Sequence, residues 1–81
     1  MDKIIITDNV KRNVIGHKVQ QLRLEKGYTQ QNLAELLEQE GVYANREIVS
    51  AIERHLRKVL DFELVALAKC LEVSVSDLFE A

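Results

Sequence analysis

Arg46, Glu47, Ser50 and Ala51 lie in the stretch 45–54, together with Ile48, Val49 and Ile52. On a helix the three aliphatic residues recur at spacings of three and four and turn inward. The other four are left outside, and each has a defined use at the edge of a base pair. A guanidinium forks onto O6 and N7 of guanine, and a carboxylate accepts from the amino group of cytosine. A hydroxyl suits more than one base, and a methyl meets that of thymine. Glu47 has a second use as a favourable charge at a helix N-terminus, and Ser50 a second use on phosphate or in the structure itself. Asn45 suits the N-cap and could alternatively hold a phosphate. Arg54, His55, Arg57 and Lys58 follow directly. Basic side chains beside such a helix meet phosphates, which set register and affinity and carry no sequence information. The pattern implies recognition of double-stranded DNA, with a helix at about 46–54 in the major groove.

Bond-making chemistry has no comparable pattern. Ser50 has no histidine or acid in a triad-like arrangement. Cys70 is the single cysteine, so no internal disulfide can form and a metal would find no second thiolate. It sits among apolar residues of a helix, where a thiol behaves as a small hydrophobe. His17 and His55 are far apart and lack ligand-like neighbours. With no nucleophile–base pair, phosphate loop or ligand cluster, the chain is expected to be no enzyme and to need no catalytic residue, metal or cofactor.

The scaffold must be helical. The chain has 81 residues, enough for one domain with a modest core. It contains no proline and three glycines, at 16, 27 and 41, and apolar residues recur at helical spacing almost throughout. An all-α fold follows. Residues 1–8 read as a short N-terminal arm, because Ile4-Ile5-Ile6-Thr7 is β-branched throughout and suits extended backbone. Residues 9–81 form the domain. The first helix is expected from about Val10 to Lys26, capped by Asp8 or Asn9. Val14, Ile15, Val19, Leu22 and Leu24 supply its apolar face, and Gly27 ends it in the left-handed region. The second helix starts at a Thr29 cap, runs to about Glu38, and turns Leu33, Ala34, Leu36 and Leu37 inward. Asn32 stands where Glu or Gln would complete a capping box, so that box is expected to be imperfect. Residues 39–44 form a turn, with Gly41 free to take positive φ and Val42 plugged into the core. The third helix runs from the Asn45 cap to about Arg54. A fourth opens at an Asp61 cap and carries Leu64, Val65, Leu67, Ala68 and Leu71. A short fifth opens at Ser74 or Ser76, where Val75, Leu78 and Phe79 close the core.

The net charge of −2 is unevenly spread. Residues 1–26 hold six Lys/Arg against three Asp/Glu, and residues 27–45 hold three acids and no base. Residues 46–60 hold four bases and two acids, and residues 61–81 one base and five acids. Positive charge therefore gathers on the first helix and around the third, while the C-terminal part is acidic. One face can attract phosphate; ordinary surface scatter explains the same numbers equally well.

The pieces Ile15-Gly16, Leu22-Arg23-Leu24-Glu25-Lys26-Gly27-Tyr28-Thr29-Gln30, Leu33-Ala34, Ser50-Ala51-Ile52-Glu53 and Leu67-Ala68-Lys69-Cys70-Leu71-Glu72-Val73-Ser74-Val75-Ser76-Asp77-Leu78 stand in a telling order and spacing. Together they resemble the Cro/lambda-repressor-type (XRE-like) helix-turn-helix DNA-binding family over about four-fifths of the chain. The turn before Asn45 is long, and with Glu63-Leu64-Val65-Ala66-Leu67-Ala68 it is similar to a longer-turn subgroup. The resemblance implies a compact five-helix, lambda-repressor-like domain whose second and third helices read DNA. It implies that Gln30, with Gln31 beside it, meets a phosphate at a helix N-terminus. It also implies a structural ion pair between Arg23 and Glu53. The family often has glycine after the third helix, where this chain has His55. Histidine tolerates the left-handed region better than most residues, so the helix can end there. Alternatively it runs on toward Arg57 and re-aims the basic cluster.

The expected function is sequence-specific binding of double-stranded DNA by a transcriptional regulator of repressor type. One such module touches few base pairs, so a homodimer on a two-fold site is expected. Its candidate surfaces are the fifth helix (Leu78, Phe79) and the Ile4–Ile6 arm. No stretch approaches the roughly 20 apolar residues of a membrane span, and Met1-Asp2-Lys3 leads into only three isoleucines, unlike a secretory signal. A cytoplasmic protein without membrane partner is expected, and a small-molecule effector within this chain is not. Two rivals stand: a protein-interaction module on the same fold without DNA binding, favoured by the acidity and Glu47, and the antitoxin of a toxin–antitoxin pair. Steep loss of affinity with salt marks a DNA binder, and a neighbouring toxin gene marks the antitoxin.

Overall fold

The computed structural model describes residues 11–79. Among them the chain forms four α-helices: α1 (Gly16–Glu25), α2 (Gln30–Gln39), α3 (Arg46–Glu53) and α4 (Asp61–Leu71). A 3-10 turn at Ser76–Phe79 follows, and there is no strand among the described residues. The expected fifth helix is thus a single 3-10 turn. Ser74 and Asp77 close it by exchanging backbone-to-side-chain hydrogen bonds. Its i to i+3 bonding and the one plug it inserts, Leu78, sustain no longer helix. The arm 1–8 and the proposed caps Asp8 and Asn9 lie outside the described residues.

All four helices end alike. A residue with positive φ follows or closes each one: Gly27 (74°), Gly41 (84°), His55 (64°) and Glu72 (61°). After α1, the N–H groups of Gly27 and Tyr28 return to the carbonyls of Leu24 and Arg23. The same paired return recurs at Gly41 and Val42, at His55 and Leu56, and at Glu72 and Val73. This satisfies carbonyls that a helix end would otherwise leave open. Glycine does this without strain, whereas His55 and Glu72 adopt the left-handed region with a side chain present. The His55 ring rests on the Asn13 carbonyl, and Glu72 pairs with Lys26.

Helix starts differ from the expectation in three places. α1 opens at Gly16, not Val10. The Asn13 carboxamide oxygen accepts from the N–H groups of Ile15 and Gly16, at 3.2 and 2.8 Å. Its amide nitrogen donates to the carbonyls of Ile52 and Arg57. Asn13 therefore serves the N–H groups at the start of α1, whose cap residue is Ile15, and ties that start to the end of α3. The Thr29 capping box is complete: Thr29 and Asn32 exchange two bonds of 2.9 Å, so the shorter Asn side chain suffices. α4 is capped at Leu60, not Asp61, and its N–H donates to Glu63 at 2.9 Å.

The core joins Ile15 and Val19 of the α1 segment to Leu33 and Leu37 of α2, Val49 of α3, Leu67 and Leu71 of α4, and Leu78. Val42 also packs into it from the turn. Gly16 lets α1 meet α3 closely, because a Cβ there would lie 2.3 Å from the Ile52 carbonyl oxygen. Val14, Leu24, Val65, Val75 and Phe79, all expected inside, are exposed. Leu24 lies two positions from the inward Leu22, and Val65 two from the inward Leu67. On a 3.6-residue repeat that separation points to the opposite side. Val14 precedes the helix start, so the helical phase does not apply to it.

Candidate nucleic-acid interface

α3 is a short rod with one packed side. Val49, Ile52 and Glu53 are buried against α1 and α2. The Asn45 oxygen accepts from the Ile48 N–H at 2.8 Å and caps the helix. Arg46 and Glu47 are exposed at its leading edge, and Ser50 and Ala51 are half-buried one turn on. Gln30, Arg46, Glu47, Ser50 and Arg54 line one shallow recess of about 200 Å³. Five residues singled out in the sequence thus meet at one surface.

The rod is held from beneath by a charged cluster. Arg23 Nε donates to Glu53 Oε2 at 2.6 Å and Nη2 donates to Oε1 at 3.1 Å. Both side chains are buried. Arg23 Nη1 also donates to the Tyr28 carbonyl at 2.7 Å, and Gln30 Nε2 donates to Glu53 Oε1 at 3.0 Å. Three helices therefore converge on one carboxylate, which satisfies the buried charges as their burial requires.

The remaining residues expected at phosphates are divided. The Gln30 amide is turned to Glu53, and the Gln31 amide donates to Glu35 on the exposed side of α2. The His55 ring lies 3.1 Å from the Asn13 carbonyl, directed at the start of α1. α3 ends before it, so the helix does not run on toward Arg57. Arg57 Nη2 donates to Glu63 at 3.0 Å. Arg54 and Lys58 are exposed, but Lys58 lines a different groove, with Arg12. Tyr43 was absent from the expected set. It is exposed, and its hydroxyl lies 3.4 Å from the Asn45 amide, beside the leading edge. The alternation Val42-Tyr43-Ala44 carried the signal: with Val42 and Ala44 buried, extended backbone turns the residue between them outward.

Other chemistry finds little footing among the described residues. Burial pushes the Cys70 thiol pKa up, Glu40 adds to the shift, and Lys69 opposes it. No group of three or more His, Cys, Asp or Glu is gathered there to hold a metal. No described helix is long and apolar enough to cross a membrane.

No family model and no curated protein matches the chain, but solved structures do. SinR, a master regulator for biofilm formation solved in complex with DNA, is 36% identical. The match covers 82% of this chain and 98% of that one, at a TM-score of 0.69. The chain belongs to the Cro/XRE-type helix-turn-helix regulators. A second member, the restriction-modification controller protein C.AhdI from Aeromonas hydrophila, is 32% identical over 80% of this chain and 87% of its own, with a TM-score of 0.70. A variant of the controller protein C.Esp1396I is 30% identical over 90% and 86%, with a TM-score of 0.71. Residues 40–45 separate α2 from α3.

Proposed function

We propose that this protein is a transcriptional regulator of repressor type that binds double-stranded DNA sequence-specifically, with α3 in the major groove. One observation carries the reading. The outer side of α3 gathers Arg46, Glu47, Ser50 and Arg54 around a single recess while its inner side is packed, so the polar groups are displayed on a rigid element. Arg46 forks onto a guanine and Glu47 accepts from a cytosine amino group. Ser50 and Ala51 meet base edges one turn on. Arg54 and Lys58 meet phosphates, and the α2 N-terminus at Gln30 and Gln31 offers backbone N–H groups to another. Gln30 contributes its amide only by leaving Glu53. Asn45, His55 and Arg57 serve mainly the frame that aims these groups. Residues 9–81 act as one binding domain, in the cytoplasm, without catalysis and without a small-molecule effector of their own.

Two copies on a two-fold site supply the specificity that one module lacks, with half-sites one helical turn, about 34 Å, apart. Of the two residues proposed for a dimer surface in the 3-10 turn, Leu78 is buried and Phe79 exposed. Selection of binding sites from a random duplex pool tests the reading. The expected result is an enriched, two-fold symmetric site whose affinity falls steeply between low and high salt. Failure to enrich any sequence, or binding indifferent to salt, rejects it.

A further inference from the structure

A second recess, of about 400 Å³, shares no residue with the one on α3. Its floor is apolar: Val14, Ile15, Val59, Leu60, Leu64 and Phe79. Val14 is 71% exposed, Leu60 52% and Phe79 53%. Arg12 and Lys58 also line it, both exposed. Neither cation has an acidic partner among the described residues. An exposed apolar surface with a polar border marks a place where something docks.

The chain itself supplies a matching occupant. The described residues begin at Lys11, and Arg12 is the first residue of the lining, so residues 1–10 are joined to the chain at the edge of this groove. Their sequence places Ile4-Ile5-Ile6 between Asp2 and Asp8. Three branched aliphatic side chains match the floor, and the segment's two carboxylates, set against one base (Lys3), match the two cations beside it. Because α1 opens at Gly16 and Asn13 serves its first N–H groups, Asp8 and Asn9 are released from the expected capping duty. Asp and Asn side chains favour turns. Ile6 stands six residues before Arg12, a reach of at most about 20 Å. A reversal at Asp8-Asn9 would put Ile4–Ile6 within reach of Val14 and Leu60. A tether this short gives an effective concentration in the millimolar range, which favours the chain's own segment over that of another copy.

We propose that the N-terminal segment of the same chain docks through Ile4–Ile6 into the groove floored by Val14, Leu60 and Phe79, with Asp2 and Asp8 facing Arg12 and Lys58. The docking shields the part of the core that the short 3-10 turn leaves open. It leaves the recess on α3 free and shares with the duplex-binding set only Lys58, for which the segment's carboxylates and phosphate compete.

The full chain is small enough for direct observation by NMR. Nuclear Overhauser contacts between the Ile5 methyls and the Leu60 methyls and Phe79 ring are expected, and they must persist within one molecule when labelled and unlabelled chains are mixed. Contacts only between differently labelled molecules would give the groove to a second copy and overturn the proposal, as would their absence. Ile5→Asp is expected to abolish the contacts and lower the thermal midpoint by about 5 °C. A midpoint equal to that of the unaltered chain would also overturn it.

Discussion

Arg23–Glu53 and Arg46–Glu47 are the same chemical pair in two settings. The first is 2.6 Å long, with its side chains 8% and 1% exposed; the second is 3.5 Å long, at 66% and 74%. Both involve α3, at opposite ends and on opposite sides. At the inner end the carboxylate is shared by Arg23 and Gln30, and each member has lost water that only the others replace. At the outer end both groups keep their water, and an exposed pair contributes little to stability, about 0–1 kcal/mol. The difference teaches that an arginine's surroundings, more than its chemistry, assign it to architecture or to recognition. The pair that is costly to break aims the helix, and the pair that is cheap to break is available to a partner.

Arg23→Ala breaks that comparison most directly. It strands a buried carboxylate, so stability measured by urea unfolding is expected to fall by about 3–5 kcal/mol. A loss below about 1 kcal/mol would show that the buried pair is no more important than the exposed one. Replacing both partners by apolar residues, Arg23→Met with Glu53→Leu, is expected to recover much of the loss, because no lone charge remains.

Gly16→Ala tests the same junction from its steric side. The added Cβ would stand 2.3 Å from the Ile52 carbonyl and 2.9 Å from that of Glu53, both backbone atoms that cannot swing away. The expected loss is about 1–3 kcal/mol by the same measurement. An unchanged midpoint would mean that α1 and α3 can separate without cost, and that the ion pair alone sets their angle.

Arg46→Ala sharpens the other half. Its effect on stability is expected to stay within about 0.5 kcal/mol. Its effect on binding to a set of single-base site variants should be a loss of about 1–3 kcal/mol of discrimination at one base pair. Lys58→Ala, by contrast, should weaken all sequences equally and lower the salt slope by about one. Equal losses on every sequence for Arg46→Ala would move that residue to the phosphate group.

Much of this was legible in the chain because the governing rules are local. The spacing of Leu33, Leu37, Val49, Ile52, Leu67 and Leu71 places helices and their inward sides within a turn or two. Gly27, Gly41 and the Asn45 cap mark boundaries through bonds that reach five residues or fewer. The outward set Arg46, Glu47 and Ser50 follows from the same periodicity, since a helix with one packed side has one free side. Tyr43 could have been read from the alternation around it.

What the sequence by itself determined is therefore the all-helical frame, its punctuation and the family to which its motifs belong. The tertiary structure alone decided how the outward residues are shared between aiming and contact. Asn13 reaches the Arg57 carbonyl across 44 positions, and Gln30 reaches Glu53 across 23. Arg57 turns to Glu63, and His55 turns to the start of α1. Each of these pairings depends on where two separate elements come to rest, and side-chain periodicity within one element holds no record of that distance.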